Sequence, residues 1–315
     1  PSSTHHFGQE ARFAIDEARE KTARLLGCEP AEIIFTSCGT ESNNLALIGA
    51  GLKLKDKGRH IVANRTEHLA VLNPLEFLQK EFGFYVTYVE PDITGRLSVE
   101  AIQQALQPDT VLITMMGANN ETGTIQPVAE VAQLAREKGI FFHCDAVQAL
   151  GKILVHVKDW GADSLSFSGH KIGAPKGIGA LYLRKGIKIR PLLTGGHQER
   201  NIRPGTENVA GIVAFGKACE IIEKQLEENR KRTLEMRQEL ERILLEIPDS
   251  HLNGHPTERL PNTVNVSFDN IQGEGLLIRL DIKGIAVSSG SACTSGSIEP
   301  SHVLQAMGLS ESRAR

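Results

Sequence analysis

Two short segments carry residue types able to do chemistry. Ser166-Phe167-Ser168-Gly169-His170-Lys171 ends an apolar run with a lysine beside hydroxyl and imidazole groups. Ser288-Ser289-Gly290-Ser291-Ala292-Cys293-Thr294-Ser295-Gly296 presents one cysteine among small residues. An amine of lowered pKa forms imines, and an accessible thiol attacks as its thiolate. Together they suit a pyridoxal-phosphate enzyme that moves sulfur.

The elements that must position these groups alternate along the chain. Ala11, Ile15, Ala18, Thr22 and Leu25 share a face, which predicts a helix over 8–26 that Gly27 stops. Strands are predicted at 33–36, 60–63, 85–89, 111–115, 140–143, 164–168 and 179–183. Helices are predicted at 41–55, after His68, and at 98–106 and 127–138. Such alternation predicts an α/β fold with a mostly parallel sheet covered on both faces. A long charged helix follows over 208–245, wettest from Glu227 to Arg232, and reads as a solvated face. Strands at 263–268 and 285–288, with helices at 274–281 and 301–307, then predict a smaller α/β unit. The expected division is a large domain over 1–224 and a small C-terminal domain over 225–315.

In open α/β sheets, ligands bind beyond the carboxyl ends of the strands. Gly39, Thr40, His68, Asn120, Asp145, Gln148, Ser168, His170 and Lys171 all fall just after predicted strands. Gly39 and Thr40 open a helix whose backbone N–H groups suit a phosphate, although a plain helix cap explains Thr40 equally well. Asp145 ends an apolar strand, where a carboxylate needs a cation or several hydrogen bonds; a protonated pyridine nitrogen is one such cation. A buried Asp capping the next helix is the alternative. Lys171, after small and apolar residues, is expected to be poorly solvated with a lowered pKa. His68 can stack on a flat heterocycle and shuttle protons, or serve only as a structural residue.

The five cysteines are Cys28, Cys38, Cys144, Cys219 and Cys293. An odd number without CxxC spacing argues against a disulfide framework or zinc ribbon, and for a reducing, cytoplasmic setting. Four read as core or packing residues; Cys293 is the one whose surroundings suit use as a nucleophile. The chain has 315 residues, 40% of them hydrophobic and 23% charged, as in an ordinary globular protein. A formal net charge of −3 gives no footprint for direct nucleic-acid binding. No apolar run approaches the roughly 20 residues that span a bilayer.

The motifs EIIFTSCGTESNNLA (32–46), TEHLAV (66–71), ANNETGTIQP (118–127), FHCDAVQALGK (142–152), SFSGHKIGAPKGIGALYLR (166–184), GGHQERNIRPGTENVAG (195–211) and SSGSACTSGSIEPSHVL (288–304) occur in that order. In these motifs the chain resembles the NifS/IscS-type cysteine desulfurases, which are class V aminotransferase-like, fold-type I pyridoxal-phosphate enzymes. The resemblance spans the whole chain. It implies that Lys171 holds pyridoxal 5'-phosphate covalently, His68 stacks on its ring, Asp145 pairs with the pyridine nitrogen and Gln148 bonds the phenolate oxygen. Gly39, Thr40, Ser168 and His170 would hold the phosphate, and Thr206 would reach the phosphate of a second subunit in a homodimer. Asn120 would lie near the substrate carboxylate and the ring oxygen of the cofactor. Cys293 would take sulfur from L-cysteine, leaving alanine, and pass it to acceptor proteins for iron–sulfur cluster assembly or tRNA thiolation. No metal is implied.

Two departures from the family pattern stand out. The chain begins at Pro1 without the family's amino-terminal arm, and ends at Arg315 before the family's arginine for the substrate carboxylate. Residues are therefore expected to be missing from both ends. Selenocysteine lyase, class V aminotransferase and non-catalytic cofactor-binding scaffold are the alternative readings.

Overall fold

The computed structural model describes residues 1, 3–271, 273–289 and 300–314. The first unit alternates strands and helices. In chain order it holds α1 (His6–Leu26), β1 (Ile33–Thr36), α2 (Gly39–Leu54), β2 (His60–Asn64), α3 (Leu69–Phe82), β3 (Tyr85–Val89) and α4 (Val99–Ala105). Then come β4 (Thr110–Thr114), α5 (Val128–Lys138), β5 (Phe141–Asp145), α6 (Val157–Trp160), β6 (Ser164–Ser168) and β7 (Gly179–Leu183). The seven strands form one sheet in the order β1-β7-β6-β5-β4-β2-β3. Strand β7 runs antiparallel to both neighbours, and the other pairings are parallel.

Every strand of this sheet except β3 is buried along its whole length, because helices cover both faces. Strand β3 closes one edge and is partly wet. The period of two in β5 divides its side chains between the layers. Phe142 and Cys144 join the core that includes Ile15, Phe35 and Phe167; Phe141 joins the opposite core with Leu45 and Leu47 of α2. His143 and Asp145 share the parity of Phe141 and so face α2.

Helix α1 ends as expected at Gly27, whose φ of 68° is left-handed and whose N–H bonds Ala23 and Arg24 carbonyls. It packs on α7 (Val209–Leu245), one continuous helix of 37 residues that runs through positions 224 and 225. The stretch Glu227–Arg232 is largely exposed, as its charge predicts.

The remaining described elements are β8 (Ser250–Leu252), β9 (Val266–Phe268), α8 (Gly273–Ile282), α9 (His302–Ala306) and α10 (Glu311–Ala314). Strands β8 and β9 form a two-stranded antiparallel sheet. The strand expected at 285–288 is not formed. Ile285 and Val287 are about half exposed, and the Ile285 N–H turns back to Leu280 O at the end of α8 rather than entering a ladder. The strand expected over 263–268 shortens to β9, and β8 has no counterpart in the sequence reading. Among the described residues, no helix is long and apolar enough to cross a membrane.

Candidate active site

Strands β1, β6, β5, β4 and β2 all point the same way, so their carboxyl ends share one edge of the sheet. That edge gathers the residues after Thr36, Asn64, Thr114, Asp145 and Ser168. Gly39 is a tight junction at that edge. A Cβ there would lie 2.8 Å from Val147 Cγ2 and 3.2 Å from Ser168 Cβ. Three segments distant in sequence thus meet at the first residue of α2, where a larger residue would force a shift.

The cap of α2 is Cys38, whose Sγ accepts from Glu41 N at 3.4 Å. Thr40 is therefore not the helix cap. It is exposed in the first turn of α2, a helix start being a place suited to a phosphate. Ser168 is buried and its Oγ lies 2.9 Å from His170 Nδ1. Burial, followed by the charges of Lys171, Lys176 and Lys152, lowers the His170 pKa.

Asp145 is buried, and burial holds its carboxyl above the usual carboxylate range. Val147 N donates to Oδ1 at 2.9 Å and Asn43 Nδ2 to Oδ2 at 2.7 Å. Both donors are neutral. His68 caps α3, its Nδ1 accepting from Ala70 N at 3.0 Å. That bond leaves the neutral ring with its proton on Nε2. Burial lowers the pKa of His68 first; Asp145 opposes this, while Lys171 and His302 add to it. The imidazole thus lies in the fields of both the aspartate and the lysine.

Lys171 is exposed, at the end of the short 3-10 turn Gly169–Lys171 that follows β6. The expectation of a poorly solvated lysine is corrected here, because the turn carries the residue past the buried strand end. The less solvated amine is instead the half-buried Lys152. Its Nζ donates to the Lys171 carbonyl at 2.7 Å, and burial, then Lys171, pushes it down to about 8.

In the pair Asn119-Asn120, Asn119 shapes the turn by accepting from Glu121 N and Thr122 N, both at 2.9 Å. Asn120 keeps a buried side-chain oxygen, Oδ1, without a hydrogen-bond partner. Gln148 is half-buried in the turn after Asp145, and Thr206 is exposed before α7. Beside the site, a cleft of about 480 Å³ is lined by Thr40, Asn44, His68, Asn73 and Phe77, among others.

Cys293 lies outside the described residues. The segment after it docks on the site: His302 Nε2 donates to Glu67 O at 3.0 Å, and Ser301 Oγ bonds Glu121. Burial pushes the Cys28 and Cys219 thiols up to about 12 and holds Cys144 well above its ordinary value, so none is a thiolate near neutrality. Cys38 is a cap rather than mere packing.

The residues fit a pyridoxal-phosphate group on observations independent of any resemblance. A buried carboxylate with only neutral donors would welcome a cationic ring nitrogen. A helix start narrowed by glycine suits the phosphate, and the unpartnered Asn120 oxygen needs a donor. Three participants escaped the sequence reading: Asn43, His143 and Lys152. The alternation His143-Cys144-Asp145 was the available signal for His143, since residues two apart in a strand share a face.

The aminotransferase class-V family model matches residues 1–314. A cysteine desulfurase IscS of Dictyoglomus turgidum is 51% identical over 310 residues, 98% of this chain and 78% of that protein. One from Methanosarcina thermophila is 52% identical over 309 residues, 98% of this chain and 76% of its own length. Among solved structures, a NifS-like protein superposes with a TM-score of 0.93 at 41% identity, covering 100% of this chain and 83% of that one. A structure of SspA in complex with cysteine gives 0.86 at 39% identity, covering 100% and 88%.

Proposed function

The chain belongs to the aminotransferase class-V family and to its cysteine desulfurases, and from that premise we propose how its residues divide the reaction. The substrate is L-cysteine and the cofactor is pyridoxal 5'-phosphate. The observation that carries this reading is the buried Asp145 carboxylate, whose side-chain and backbone donors, Asn43 Nδ2 and Val147 N, are both neutral.

Lys171 Nζ would hold the cofactor, with Asp145 at its ring nitrogen, His68 against its face and Gln148 at its phenolate oxygen. The N-terminus of α2 with Gly39, Thr40, Ser168 and His170 would hold its phosphate, and Asn120 would serve the substrate carboxylate. Pyridoxal phosphate supplies an aldehyde for the substrate's amino group and an aromatic electron sink for the carbon that loses its proton. Lys171 Nζ takes that α-proton. The neutral His68 offers Nε2–H as a donor beside the reacting carbon. Cys293 then takes the sulfur: an S–S bond forms as the Cβ–S bond breaks, and the carbon gains a proton. L-cysteine and the Cys293 thiol thus become L-alanine and a Cys293 persulfide.

Exposed Thr206 supports a homodimer in which each copy completes the other's phosphate site. The final acceptor is a sulfur-accepting protein, an iron–sulfur scaffold or a tRNA-thiolation relay. The four described cysteines are free, which supports a reducing, cytoplasmic setting.

The test is Lys171→Ala, assayed for alanine from L-cysteine. Removing a base that carries a proton costs about 10²–10⁴-fold, and borohydride should no longer fix cofactor to the protein. Undiminished turnover in this variant contradicts the assignment.

A further inference from the structure

A line of buried polar groups runs from the middle of the sheet to Asp145. Ser164 Oγ lies 2.8 Å from His143 Nδ1, His143 Nε2 lies 3.0 Å from Asn43 Oδ1, and Asn43 Nδ2 lies 2.7 Å from Asp145 Oδ2. Ser164, His143 and Asn43 are each 0–1% exposed. Asn43 stands one turn inside α2 from Gly39, and His143 two residues before Asp145 on the same face of β5. His143 and Ser164 are register partners in β5 and β6.

The direction of each bond follows from the end that meets Asp145. A carboxylate only accepts, so the Asn43 amide nitrogen donates to it. The Asn43 oxygen must then face His143, which fixes the imidazole with its proton on Nε2. Nδ1 is left to accept from the Ser164 hydroxyl. An Asn43 turned the other way would set an oxygen against the Asp145 carboxylate. The imidazole thus acts as the stop that prevents the amide from flipping. Burial lowers the His143 pKa to about 3, so the stop carries no charge near neutrality.

We propose that Asn43 is a positioning residue for the reaction and His143 its orienting partner, together aiming the Asp145 carboxylate at the ring nitrogen of the cofactor. The proposal rests on the assignment of Asp145 to that nitrogen. The other titratable groups near Asp145 are Glu67 and His68 from the turn after β2, and Cys144 from its own strand. None of these donates to Oδ2; Asn43 does.

The experiment compares wild type, Asn43→Leu, His143→Leu and His143→Gln, each loaded with pyridoxal phosphate. Three quantities are read: thermal midpoint, pH titration of the bound cofactor's absorbance, and kcat and KM for alanine formation. Losing a hydrogen bond to a charged group is worth about ten- to a hundredfold. Asn43→Leu and His143→Leu should each lower kcat by that factor with KM within about twofold, and shift the absorbance titration. His143→Gln keeps an amide N–H for Asn43 and should recover most of the rate and the wild-type titration. A wild-type titration and kcat in folded, loaded Asn43→Leu overturns the proposal. So does a lowered thermal midpoint with unchanged spectrum, which marks a structural role only. If wild type itself binds no pyridoxal phosphate, the functional reading fails first, and the two failures are distinct.

Discussion

Gly39 and Val147 stand so close that a methyl group on residue 39 would come within 2.8 Å of Val147 Cγ2. The contact joins the helix start proposed to hold phosphate to the turn after Asp145, so the two ends of the cofactor site are spaced by one residue pair. Gly39→Ala should push α2 away from that turn and weaken pyridoxal-phosphate binding by about tenfold or more, with a modest stability cost of about 1–3 kcal/mol. Equilibrium dialysis of the variant checks this, and wild-type affinity contradicts the spacing argument.

Glu199 tests how the segment before Thr206 is held. Glu199, Arg200 and Asn201 take left-handed φ values of 42°, 56° and 64° in succession. For residues with side chains such geometry costs about 1–2 kcal/mol each. What offsets it is the buried Glu199 carboxylate, which accepts from Arg19 Nη1 and Nη2 at 2.8 and 2.6 Å and from Phe35 N at 2.9 Å. Glu199→Ala leaves Arg19 charged and unpaired. The expected loss is about 3–5 kcal/mol in urea unfolding, and Arg19→Met combined with it should recover a large part.

Acid sensitivity should trace to His143. Its ordinary pKa of 6.5 falls to about 3 in the native state. Between those values the unfolded chain holds a proton that the native chain refuses, so stability declines as pH falls from 6.5. The slope from this group is about 1.4 kcal/mol per pH unit, and it vanishes above pH 6.5. His60 and His68, also lowered by burial, add in the same direction. Glu67 acts oppositely: burial raises its pKa, so the native state gains as its carboxyl takes up a proton. The difference between wild type and His143→Gln isolates the histidine, and equal slopes in the two would contradict the prediction.

The strand-and-helix alternation was legible because buried parallel strands and helix stops leave local signals; Gly27 ends α1 where its spacing indicates. The gathering of His68, Asn120, Asp145 and Ser168 at one edge was legible for the same reason, since it needs only strand order and direction. What escaped depends on pairings across the fold. Asn43 meets Asp145 across 102 positions, and nothing near Asn43 in the sequence distinguishes it from Asn44, which bonds its own helix at Thr40 O. The exposure of Lys171 depends on a three-residue turn, and the short β8 gains its identity only from β9. At 285–288 an apolar run resembled a strand, but its first N–H belongs to the end of α8.

The most direct test of the central claim is mass spectrometry of the chain, loaded with pyridoxal phosphate, after brief exposure to L-cysteine without a reductant. The account predicts a gain of about 32 Da on the peptide carrying Cys293, matched mole for mole by L-alanine and absent in Cys293→Ser. Alanine formed with no sulfur on that peptide, or a keto acid in place of alanine, would contradict it.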